Sequence, residues 1–144
     1  MGKQSPVPDE ISKPFWDACN EGRLVVQKCA GCQSNEGQDW LQHPPQANCF
    51  KCGTPDNLTW QEMNGRGKIH GYCTMYDSRI RSLQEDQPFI IAVIELEDAP
   101  EIKMFSHLPG TPVDDNVPVG ATVHVEFQDT LGTDQKVAEW RVPN

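Results

Sequence analysis

Cys29-Ala30-Gly31-Cys32, answered by Cys49-Phe50-Lys51-Cys52, is the stretch from which the rest of this sequence is read. Two residues between thiols let a tight turn aim both sulfurs at one point, and two such turns supply four sulfurs. Zn²⁺ has no directional preference from its d electrons and accepts that tetrahedral set with every position filled. A closed shell leaves no place for water or substrate. The spacing therefore predicts one structural zinc per chain, held by Cys29, Cys32, Cys49 and Cys52, and no chemistry at the ion. Two redox pairs or two disulfides are the bland alternatives, and the paired spacing weighs against them. Iron also suits four thiolates.

The chain around this motif has 144 residues, enough for one domain or for a small metal module attached to a compact one. A hydrophobic content of 37%, with 12 prolines and 11 glycines, predicts many turns and one modest core. Structural zinc contributes about 10–16 kcal/mol in small modules, which is enough to fold a ribbon that lacks a core of its own. The formal net charge is −9, with 12 basic residues against 21 acidic ones. A nucleic-acid binder needs Lys and Arg to displace counterions, so that class is disfavoured. No apolar run reaches the length of a signal peptide core followed by a span, nor of a membrane helix. The expected location is the cytoplasm, where thiolates meet metal more often than they form disulfides.

Residues 1–11 carry Ser5, Pro6, Pro8 and Asp9 and predict an extended arm. Ser12 is placed to cap a short helix through Asn20, with Pro14 in its first turn and Gly22 as its stop. Phe15, Trp16 and Cys19 mark an apolar side that must dock on the chain's own body or on a partner, and a partner is the expectation. Leu24–Lys28 predicts a strand into the first knuckle, and Leu58-Thr59-Trp60 a strand out of the second. The spacer from Gln33 to Asn48 is polar apart from Trp40 and Leu41 and is stiffened by Pro44 and Pro45. From Gly65 onward the texture changes to strand runs broken by turns. Ile69, Cys73 and Met75 are expected on an inward face; 88–96 follows as the most apolar run, covered on both faces in its first half. Ile102, Met104 and Leu108 alternate, then Val123, Val125 and Phe127, and Val137 to Val142 makes a fifth strand. Five short strands without a long helix between them predict a small closed barrel of the OB kind. The fold class is thus mainly β, divided as arm and helix (1–23), zinc ribbon (24–62) and OB-fold (63–144).

The order of these elements resembles the DUF35 family, a rubredoxin-like zinc ribbon joined to an OB-fold. The residues that carry the resemblance are Phe15-Trp16-Asp17-Ala18, Gly22-Arg23-Leu24, Pro44-Pro45 before the second knuckle, Gly65-Arg66-Gly67-Lys68-Ile69, Ala92–Leu96, and Val119-Gly120 before Val123–Phe127. They span roughly residues 13 to 142. The spacer between knuckles is longer than the family's usual one, and Phe50-Lys51 replaces a common Pro-x. The resemblance implies a small accessory subunit of a thiolase- or aldolase-type acyl-CoA enzyme, in a heterotetramer or larger hetero-oligomer. Such enzymes include the benzoylsuccinyl-CoA thiolase kind. It implies further that the large thiolase-like partner carries the nucleophile, and that the acyl-CoA lies near the interface.

No catalytic set is evident in this chain. Cys19 and Cys73, the cysteines outside the ribbon, are expected to be small buried residues. His43, His70, His107 and His124 show no triad or metal spacing, and Gly65-x-Gly67 alone is a turn into a strand. Arg66 with Lys68, and Arg79 with Arg81, are candidates for holding coenzyme A phosphates, against the plainer reading of solvated edge-strand charges. Phe15, Trp16, Trp40 and Leu41 are the expected partner interface. A non-catalytic, zinc-containing subunit that binds no nucleic acid and no membrane is the leading reading. The alternatives are a nucleic-acid module and a rubredoxin-like electron carrier.

Overall fold

The computed structural model describes residues 5–114 and 116–143. Residues 1–4 of the expected arm lie outside the described residues. The first element is α1 (Lys13–Asn20), with proline in its first turn. Ser12 makes no side-chain cap. Asp9 takes the capping role instead: its carboxylate accepts the Ser12 N–H at 2.7 Å, and its own N–H donates to Ser12 Oγ at 3.1 Å. These bonds hold the Asp9 carboxyl below its usual range, the backbone bond from Ser12 most of all. Gly22, at φ 75°, ends the helix: its N–H donates to Cys19 O, and Arg23 N–H donates to Ala18 O.

The helix docks on the chain's own body. Phe15, Ala18 and Cys19 are buried, and Lys136 N–H donates to Asn20 Oδ1 at 2.8 Å. Gln135 Nε2 donates to the Trp16 carbonyl at 3.1 Å. The apolar side expected to await a partner is therefore largely spent inside the chain, and Trp16 is its half-exposed remainder.

The ribbon is a three-stranded antiparallel sheet in the order β2-β1-β3, with β1 (Val25–Gln33), β2 (Asp39–Gln42) and β3 (Leu58–Glu62). Strand β2 was expected as spacer: four residues with one apolar pair carry little periodic signal, and cross-strand pairing to β1 makes the strand. The second sheet has the order β6-β5-β4-β7-β8, all antiparallel: β4 (Arg66–Met75), β5 (Phe89–Leu96), β6 (Lys103–His107), β7 (Thr122–Asp129) and β8 (Lys136–Arg141). A 3-10 helix, Arg81–Asp86, lies between β4 and β5. Strand β5 buries Ile90, Ala92, Ile94 and Leu96, with Ile91 and Val93 only half covered, so it is an alternating strand.

The sheet curls until its edge strands β6 and β8 meet through side chains. Trp140 N–H donates to Ser106 Oγ at 3.0 Å. Glu139 Oε2 accepts from Ser106 Oγ and from His107 N–H, both at 2.9 Å. Ser106 and Glu139 are both buried, so these bonds satisfy polar groups that burial would otherwise penalise. The five strands and this closure are the small barrel expected from the sequence, and the mainly β class stands.

Cys73 is exposed, contrary to the inward placement expected for it. The cause is a bulge in β4. Ile69 pairs with Ile94 and Gly71 with Val93, so His70 is the extra residue and every later side chain changes face. Cys73 comes opposite half-covered Ile91, and Tyr72 opposite buried Ala92. Buried apolar side chains form a continuous cluster that runs from Phe15 through Val26 and Leu41 into Ile69, Ile94 and Trp140.

Candidate metal centre and the clefts beside it

The four cysteines of the two knuckles converge. Their Sγ atoms lie within 4.8 Å of one another, with Cys29–Cys52 at 3.9 Å and Cys32–Cys49 at 4.0 Å. A tetrahedral shell with Zn–S near 2.3 Å places its sulfurs about 3.8 Å apart, so this donor set fits such an ion with little adjustment. The backbone is arranged for thiolates. Lys51 N–H donates to Cys49 Sγ at 3.3 Å, and Gly53, at φ 79°, turns its N–H back to the Cys49 carbonyl. Burial pushes the Cys29 thiol up and the Cys32 thiol up to about 12. Burial acts on Cys49 in the same direction, but the N–H groups of Cys52 and Lys51 overcome it and lower that thiol to about 7. Cys49 is thus the ligand best prepared to lose its proton first. The four sulfurs face one another around a point that could hold a metal ion.

Two buried glutamines hold the second knuckle on the sheet. Gln27 and Gln42 are cross-strand partners, and Gln42 Nε2 donates to Gln27 Oε1 at 2.8 Å. Gln27 Nε2 donates to the Gln46 carbonyl, and Gln27 Oε1 accepts Gln46 N–H, both at 2.9 Å. Gln42 Oε1 accepts Phe50 N–H at 2.9 Å and Trp40 Nε1–H at 3.2 Å. Sequence reasoning passed over both residues. The signal was Gln27 directly after Leu24-Val25-Val26, a polar side chain at an inward position of a strand.

Trp40 and Leu41 line a cleft of about 610 Å³ together with Phe50, Pro100 and Ile102, where the ribbon faces the β5–β6 connection. Phe15 and Trp16 line a second cleft of about 300 Å³ with Pro44, Pro45, Phe105 and Ala138. His43 borders both. Its ring lies 5.5 Å from that of Phe15, its Nδ1 is buried without a partner among the described residues, and burial lowers its pKa to about 4. The four residues expected at a partner interface are thus brought to neighbouring clefts on either side of His43. Phe15 and Leu41 form buried floor; Trp16 and Trp40 are half-exposed.

The two basic clusters are not brought together. Arg66 and Lys68 stand at the start of β4, and Arg79 and Arg81 lie beyond its other end. Arg66 pairs with Glu97 at 2.5 Å, and Lys68 lies 3.6 Å from Glu95. The hydrogen bond and charge of Glu97 raise the Arg66 pKa, and the same bond lowers that of Glu97. Arg79 and Arg81 are exposed and form no ion pair among the described residues.

The chain is thus a three-stranded ribbon with a four-thiol knuckle pair, followed by a five-stranded barrel. Residues 60–128 match the family described as ChsH2, C-terminal OB-fold domain. The chain shares its fold with a solved chain of the Ltp2-ChsH2(DUF35) aldolase at a TM-score of 0.77 and 23% identity, over 95% of this chain and 98% of that one. A DUF35 protein of unknown function from Sulfolobus solfataricus aligns at a TM-score of 0.58 and 17% identity, over 93% of this chain and 86% of the other. A curated protein of Thermomonospora curvata, named "Probable enoyl-CoA hydratase alpha subunit", is 28% identical over 116 residues. That match takes in 78% of this chain but spans only about a third (32%) of the relative. The DUF35 resemblance read from the sequence is borne out at the level of the fold and the barrel family.

Proposed function

We propose that this chain is a non-catalytic, zinc-containing subunit of an acyl-CoA enzyme that makes or breaks a carbon–carbon bond. The observation that carries this reading is the end-to-end correspondence of its fold with one chain of an aldolase. The curated relative, whose name includes an enoyl-CoA substrate, supports the acyl-CoA class. The four-thiol site braces the ribbon, and the reacting groups come from a thiolase-like large subunit in a heterotetramer or larger assembly, in the cytoplasm. Trp16 and Trp40 dock that subunit, with Phe15 and Leu41 as the floor beneath them. Arg79 and Arg81, which form no ion pair among the described residues, are better placed than Arg66 and Lys68 to reach coenzyme A phosphates. The division at 1–23, 24–62 and 63–144 is kept as the working organisation.

A second reading follows from the curated relative's name: the partner is a hydratase chain. One experiment separates the two. The chain is isolated from its native source under gentle conditions, and stoichiometric companions are identified by mass spectrometry, with metal measured in the same sample. A thiolase-like companion and about one zinc per chain are expected. A hydratase alone supports the second reading, and recovery with nucleic acid or with iron contradicts both.

A further inference from the structure

We propose that the cleft between the ribbon and the barrel receives a lysine- or arginine-bearing segment of the enzyme subunit, an extension that rests on the function proposed above. The cleft has an apolar floor, made by Leu41 and Ile102, with Trp40 and Phe50 rising from it toward solvent, and three exposed carboxylates in its lining, Glu36, Asp98 and Glu101. No lysine or arginine lines it. Glu36 and Glu101 are exposed and form no ion pair among the described residues. Asp98 is held in place by Asn64 N–H at 2.9 Å. The two lysines nearby are tied to carbonyl groups: Lys51 bonds to the Gln33 carbonyl, 5.4 Å above the Trp40 ring, and Lys103 bonds to that of Pro100.

This combination selects its occupant. Phosphates of a coenzyme are repelled by three carboxylates, and a small metal cation gains nothing from Trp40 and Phe50. Lysine and arginine carry an apolar stem that covers such a floor and a cationic head that meets such carboxylates. Phe50, 59% exposed, leaves the entrance apolar as well. A chain of net charge −9 steers a basic segment toward itself over several ångströms before contact. The cleft is large enough, at about 610 Å³, for two or three side chains of such a segment.

The test compares wild type with the double variant Glu36→Lys/Glu101→Lys, at exposed positions where folding is not at stake. Binding to the copurified enzyme subunit is measured at about 50 mM and about 300 mM salt. The proposal requires wild-type binding to weaken with salt, and the variant to bind about tenfold or more weakly at the lower salt. Equal affinity of variant and wild type overturns it while leaving the function intact. If wild type binds no acyl-CoA enzyme, the function fails, and a measurement on the chain alone decides the inference. The probes are acetyl-Leu-Arg-Leu-Arg-Leu-amide and its glutamate counterpart, titrated while NMR follows the Trp40 indole. Shifts with the arginine peptide alone support the cleft's assignment; equal responses, or none at millimolar peptide, overturn it.

Discussion

Phe15 and Trp16 are sequence neighbours with different fates, and the difference sets what each substitution should do. Phe15 is 7% exposed and packs edge-on against Trp16, with ring centroids 4.9 Å apart. Phe15→Ala should cost about 3–5 kcal/mol of stability, seen as a lower denaturation midpoint. Trp16→Ala and Trp40→Ala should leave that midpoint nearly unchanged and weaken partner binding by about 2 kcal/mol or more for at least one of them. Binding lost only in proportion to unfolding would place both tryptophans in the core. His43 makes a second prediction at this scale. Its folded pKa is near 4 against an ordinary value of 6.5, so between those values the unfolded chain binds more protons than the folded one. The stability this represents is fully present above about pH 6.5 and is lost as pH falls toward 4, to the extent of about 3 kcal/mol. Denaturant titrations from pH 7 to pH 4 should show wild type losing that amount relative to His43→Phe. Parallel curves would show that the imidazole gains a proton inside the fold.

Among the elements, β4 teaches most. Its bulge at His70 turns Cys73 outward, whereas Cys19 is fully buried and burial raises its thiol to about 12. In metal-loaded protein, a thiol reagent should therefore modify one cysteine quickly, Cys73, and reach Cys19 only on unfolding. Cys73→Ser should abolish the fast phase, and fast labelling that survives this change would contradict the register. Strict alternation through 69–75 missed this, although Gly71 within a strand was the available sign of a bulge. Other elements were legible because their signals were local: Gly22 as a helix stop, Val123-Val125-Phe127 as an alternating face, and the cysteine spacing as a converging site. Strand β2 and the Ser106–Glu139 closure were not, since both depend on partners far along the chain.

At the scale of the whole molecule, the same contrast explains which parts of the site could be foreseen. Four thiols aimed at one point follow from two short turns, so the converging cysteine cluster was legible without tertiary information. The paired clefts beside His43 require α1, the ribbon and the barrel to meet, and only the folded chain shows Trp16 and Trp40 flanking one histidine. The basic clusters looked alike in sequence but differ in space: Arg66 and Lys68 lie beside carboxylates of β5 and its exit, while Arg79 and Arg81 face solvent. In the proposed function this chain braces and docks, and the chemistry belongs to its companion. The most direct test of that claim is acyl-CoA turnover by the companion enzyme, measured alone, with this chain, and with its Cys49→Ser variant. No turnover by the chain alone is expected, and a companion slowed about tenfold or more should recover with stoichiometric metal-loaded chain but not with Cys49→Ser. Turnover by this chain alone, or a companion at full rate without it, would show that the chain is no supporting subunit.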